Sequence, residues 1–182
     1  MSWVVGDLDE DDPRAAAISA MILDLGWCIN SYGQIEYLVA DLLWHAWQMP
    51  DYHASSRMLP PGLDRRAKWL RQLLTQPGPL APYSVDLGLL MDRLDQLSEP
   101  RHMFVHGHTT FVHTQTGDAA FMFRRFVPPE KGGDWTKYEG VVRPAQLREA
   151  RQLWCMFASS AQRIIGNIYV ELALEKIGPA EA

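Results

Sequence analysis

Residues 99–108 read EPRHMFVHGH and hold three of the six histidines of a 182-residue chain, next to an arginine. Imidazole gains and loses a proton near neutral pH and is a common metal ligand. Guanidinium keeps its charge and can grip two oxygens of a phosphate. His102 and His106 are four residues apart, so on a helix they stack on one face, and with His108 they could meet one metal ion. No cysteine or further HxxxH pair completes such a ligand set, and the expectation is no metal and no cofactor. A third alternative is plainer: histidines in a last helical turn that face its carbonyl ends, with Gly107 closing the turn. Arg101 and His106 are five residues apart, about 140° around a helix, and so do not share a face.

The segments that must carry these residues are helical. Asp11 or Asp12 can cap a first helix with Pro13 in its first turn. Ile18, Met21, Ile22, Leu25, Ile29, Tyr32, Ile35, Val39, Leu42, Leu43 and Ala46 then recur at helical spacing until Pro50. Gly26 and Gly33 weaken this helix by roughly 1 kcal/mol each relative to Ala. A second helix reads LDRRAKWLRQLL, with Leu63, Ala67, Leu70 and Leu74 on one face and Arg65, Arg66, Lys68 and Arg71 on a solvated one. A third starts near Ser84 with the stripe Leu87, Leu90, Leu94, Leu97. Carried on through Pro100, that stripe arrives at Arg101 and Phe104, and Pro100 should bend the helix by removing a donor. The period then changes. TTFVHTQTGDAAFMFRRF is a β-hairpin broken at Thr116-Gly117-Asp118, and KYEGVV is a third short strand. Pro144 opens a last helix reaching about Ile177, on which Leu147, Trp154, Ala161 and Ile168 recur every seven residues, with Ala158, Ile165 and Leu172 on the adjoining row.

This order predicts a mainly α protein: one domain over 1–182, a four-helix up-down bundle with a small hairpin or three-stranded insertion at about 108–142 between helices three and four. Glu36 and Arg101 are both charged at apolar stripe positions, and a buried charge needs a partner, so the two are expected to pair. Trp27, Trp44, Trp47, Trp69 and Trp154 are expected in the core or in dimer contacts. His45, His53 and His113 are read as surface or hairpin residues.

RHMFVHG resembles the signature of the HEPN superfamily of helical-bundle proteins. Arg101 matches its arginine, His102 the following polar position (commonly Asn in the family), and His106 its histidine. SYGQIEYLVADLL, centred on Glu36, is similar to the family's first helix, and the helix order agrees over most of the chain. The β-rich insertion is not part of the common core. The resemblance implies a metal-independent endoribonuclease with Arg101 and His106 as catalytic residues and His102 and Glu36 in support. It also implies an RNA substrate, a homodimer, and a role as a toxin, with an antitoxin or other protein partner, or in phage defence. Arg124 and Arg125 on the hairpin are candidates for RNA contact. Other members are non-catalytic, which leaves a module binding a nucleotide or a protein partner as the alternative.

Composition bounds these readings. Hydrophobic residues make up 47% and charged residues 21%, as in an ordinary globular chain, and the formal charge of −5 argues against broad coating of nucleic acid. The two cysteines, Cys28 and Cys155, lie in apolar helical patterns without CxxC spacing and are read as buried thiols. The acidic N-terminus has no signal-peptide pattern, and no apolar run approaches the ~20 residues of a membrane helix. A cytoplasmic protein is expected.

Overall fold

The computed structural model describes residues 4–5, 12, 14–52, 59–114, 117–129 and 133–176. Asp11, Pro13, His53, Thr116 and the end of the chain from Ile177 lie outside them. In chain order the elements are β1 (Val4–Val5), α1 (Ala15–Ala46), α2 (Leu63–Leu74), α3 (Ser84–Gln96), α4 (Ser98–His106), β2 (His108–His113), β3 (Ala119–Val127), β4 (Thr136–Val142) and α5 (Pro144–Glu171). The protein is mainly helical, with a small antiparallel sheet whose three longer strands fall between α4 and α5 in the chain. No helix among the described residues is long and apolar enough to cross a membrane.

Among the described residues five α-helices appear where four were expected, because the third is split. A continuous helix would need the amide of residue 100 to bond to the carbonyl of Gln96, and proline has no N–H. The chain therefore leaves helical geometry at Leu97 (φ −96°, ψ 5°) and restarts, so Pro100 sits in the first turn of α4, where a missing donor costs nothing. Pro100 separates two helices instead of bending one.

At the start of α1, Asp12 is the described cap. Its carbonyl accepts from the Ala15 amide at 2.8 Å, and its carboxylate accepts from the backbone and side chain of Arg14. Those hydrogen bonds hold the Asp12 carboxyl down to about 2. The contribution is therefore full above the ordinary carboxyl range and is lost only as pH falls through about 2.

The chain divides into two compact units, one of residues 1–30 and 99–155, the other of 31–98 and 156–182. Each takes half of α1 and half of α5. In the first unit the Arg151 guanidinium donates to Asp24 at 2.6 Å, and Asp24 is only 5% exposed, so the pair is what makes its burial tolerable. In the second, Gln34 donates to Gln162 at 3.2 Å, and Tyr169 donates its hydroxyl to Asp41. Burial and that carboxylate push the Tyr169 phenol far up. Partners on the two helices advance together along the sequence, so α1 and α5 run parallel. An up-down order of four helices would set the first and last antiparallel.

The core of the second unit is built from regularly spaced apolar side chains: Ile35, Val39, Leu42 and Leu43 of α1, Leu63, Ala67 and Leu70 of α2, Leu87, Leu90 and Leu94 of α3, and Ala161, Ile165 and Ile168 of α5 are all buried. Glu36 finds its partner here. Arg66 of α2 donates to it at 3.1 Å and also donates to the Pro60 carbonyl at 3.0 Å, so Arg66 is not the solvated residue expected. In the first unit the sheet order is β1-β2-β3-β4, all antiparallel, and β1 is an edge strand that the sequence pattern did not reveal. Thr114 closes the β2–β3 turn: its amide donates to the Asp118 carbonyl at 2.9 Å, and its hydroxyl accepts from the Asp118 amide at 3.0 Å. Gly117, at φ 89°, takes a conformation that side chains disfavour.

Candidate active site

Helix α4 is nine residues long and lies on the sheet. Arg101 and Phe104, three apart, are its buried residues, and Phe104 packs on Phe123 of β3 with ring centroids 5.3 Å apart. The Met103 methyl sits over Gly140 of β4, 3.7 Å from where a Cβ would be. His102 is half-buried and His106 is exposed. Arg101 and His106 thus lie on different faces, as their angular separation requires.

Gly107 makes the turn from α4 into β2. Its amide donates to the Met103 carbonyl at 3.0 Å, and a Cβ there would stand 2.3 Å from that same oxygen. Backbone cannot retreat as a flexible side chain can, so only glycine fits. Gly107→Ala is expected to cost about 2 kcal/mol or more, read as a lower urea midpoint with an unchanged slope. A midpoint equal to that of the wild type would show that the turn relaxes freely.

Arg101 touches its neighbour: Nη2 lies 2.5 Å from His102 Nε2 and 3.4 Å from Nδ1. A guanidinium only donates and stays charged. In this contact the guanidinium is the donor and a ring nitrogen of His102 the acceptor, Nε2 being the nearer. The His102 and His106 rings follow one turn apart, with centroids 5.7 Å apart and planes tilted by 34°. This gives a short series on one helix, from a buried cation to a neutral imidazole to an exposed imidazole. The sequence reading gave His102 a supporting place but did not foresee its contact with Arg101, since adjacent helical residues do not ordinarily face each other.

Beyond Gly107, His108 is cross-strand to Arg124. Arg124 donates to Glu139 of β4 at 2.8 Å, and Lys137 reaches the same oxygen at 2.6 Å. Lys137 first and Arg124 second hold the Glu139 carboxyl below the usual range. Arg125 lies across from Tyr138, and its Nη1 is buried without a hydrogen-bond partner. Of the two candidates for RNA contact, one is thus tied to a carboxylate and the other is partly buried. Glu36 is in the second unit with Arg66. Among the described residues, no group of three or more His, Cys, Asp or Glu is placed to hold a metal ion.

His113 makes a contact from its ring to the Thr114 carbonyl at 3.1 Å. His45 departs from the surface position expected for it. Its ring packs edge-on to Trp44 and Tyr169, with Nε2 4.0 Å from Asp41 and Nδ1 buried without a hydrogen-bond partner. The signal in the sequence was the Asp41–His45 spacing of one helical turn on α1.

No protein-family model matches the chain, and no curated protein or solved structure does.

Proposed function

We propose that α4 carries the active site of a metal-independent, HEPN-like endoribonuclease acting in the cytoplasm. The observation that carries this reading is the Arg101–His102–His106 series on one short helix. RNA can be cut by its own 2′-hydroxyl, which attacks the adjacent phosphorus once its proton is removed. His106 is the exposed imidazole and takes that proton. His102 presents its remaining ring N–H to a non-bridging phosphate oxygen as negative charge builds on it. Arg101 is too buried to hold phosphate itself; it fixes the orientation of His102 and sets a permanent positive charge behind it. The departing 5′-oxygen takes its proton from water. The test is incubation of mixed single-stranded RNAs with wild type in excess chelator. Products ending in 2′,3′-cyclic phosphate and 5′-hydroxyl support the reading, and intact RNA refutes it.

The homodimer belongs to the same reading. Ile22 and Ile29, expected in the core, are exposed on α1 together with Leu23 and Trp27. Ile22, Leu23, Trp27 and Asn30 surround Gly26, where a Cβ would meet nothing within 4 Å. In a two-fold contact, Trp27 of each copy can cover Gly26 of the other. Trp27→Glu is expected to turn the dimer into a monomer in sedimentation at micromolar concentration; a wild type already monomeric there removes the dimer and leaves this face to a different protein, as in a non-catalytic module. The toxin and phage-defence roles and an antitoxin partner rest on the family resemblance.

A further inference from the structure

Cys28 and Cys155 were expected to be two inert, buried thiols. Within the first unit they stand in a more specific relation. Asp24 of α1 and Arg151 of α5 meet at 2.6 Å, and each cysteine lies four residues beyond one of them in the same direction. On two parallel helices one turn forward on both sides preserves the pairing, so Cys28 and Cys155 occupy the next level of the same seam. Cys155 and Asp24 both oppose ionisation of the Cys28 thiol. The two thiols differ in access: Cys28 is 2% exposed, whereas Cys155 is half-buried and reachable.

We propose that Cys28 and Cys155 form a thiol pair in which Cys155 is oxidised first and Cys28 resolves it, joining α1 to α5 by a reversible disulfide. With a hydroperoxide as oxidant, the Cys155 sulfur attacks one peroxide oxygen, the O–O bond breaks, and a sulfenic acid and an alcohol or water leave the step. The Cys28 sulfur then attacks the sulfenic sulfur; the S–S bond forms and water departs. Two thiols lose two electrons and two protons, and the peroxide takes them up. A thiol reductant reverses the result by exchange. Burial first, and Cys155 second, push the Cys28 thiol up to about 12. Cys28 is therefore a slow resolving thiol whose attack speeds up as pH rises and its thiolate fraction grows.

Dithionitrobenzoate tests the pair on the whole folded chain, because it marks each step by a released coloured thiolate. Cys155 gives the first equivalent and becomes a mixed disulfide. Cys28 then displaces the second equivalent from it within the same molecule. Wild type is expected to release two equivalents per chain. The second release should be independent of protein concentration and about tenfold faster for each pH unit between about pH 7 and 9. Digestion without reductant should yield a cross-linked Cys28–Cys155 peptide, and peroxide should give the same peptide. Cys28→Ser, or Cys28→Ala if the serine variant is unfolded by circular dichroism, should release one equivalent and form no cross-link. Wild type that releases a single equivalent while folded, or whose second release yields only links between chains, overturns the proposal.

Discussion

His106→Ala is expected to cut RNA at least about a hundredfold more slowly than wild type while keeping its fold. His106 is exposed at the end of α4 and holds no part of the core, so its loss should leave thermal unfolding within about 0.5 kcal/mol of wild type. The proton of the 2′-hydroxyl then passes to water instead of to a positioned imidazole, and positioned acid–base groups are worth roughly a hundredfold to ten-thousandfold. Arg101→Ala is the less clean test, because a buried side chain in contact with His102 is removed with the charge. Arg101→Lys separates the two effects. It keeps the charge but not the planar donor fork, so it should retain the fold and lose most of the rate. Cleavage by His106→Ala equal to wild type would end the ribonuclease reading. Activity that needs zinc and vanishes in His102→Ala would restore the metal site set aside at the start.

The largest loss of stability is expected at Trp154→Ala, about 3–5 kcal/mol, from the removal of a fully buried indole. Trp154 is 1% exposed and stands on the seven-residue row of α5 with Leu147, Ala161 and Ile168, each of them buried. Alanine leaves a void that neighbours on a long rigid helix fill poorly. A chain of this size has a total stability of roughly 5–15 kcal/mol, so the variant loses a large share of it, and its thermal midpoint should fall by on the order of 10 °C. Trp135 is 63% exposed and serves as the control: Trp135→Ala should stay within about 0.5 kcal/mol of wild type. Equal midpoints for the two variants would mean that Trp154 is not the core residue its burial makes it.

What could be read ahead follows from what is local. The bounds of α2 and the buried rows of α3 and α5 were legible, because an apolar residue every three or four positions can be buried only on a helix. The hairpin was legible from Thr, Phe and Val around Gly117. The partner of Glu36 was not: periodicity shows that a charge is misplaced but not which helix lies opposite, and Arg66 looked like one of several solvated cations. The parallel course of α1 and α5 was hidden for the same reason, since more than a hundred residues separate the partners in sequence. At the site, the types and order of Arg101, His102, His106 and Gly107 were visible. The burial of Arg101 and its hold on His102 needed three dimensions.

Because each compact unit is made of two separate stretches of the sequence, neither can be cut out as a single piece of chain. A break between Ser98 and Glu99 would give two fragments, the first holding residues 1–30 of one unit and 31–98 of the other, the second holding the remainder of both. Alone, the first fragment has α1 and β1 without β2, β3 and β4, and the second has those three strands without α1 and β1. Each should be less ordered than in the whole chain, because part of the surface that covers its apolar rows is on the other piece. Mixed, they should regain helical circular dichroism together, in a transition that depends on both concentrations. The molecule thus has the makings of a split reporter, in which folding itself signals that two pieces have met.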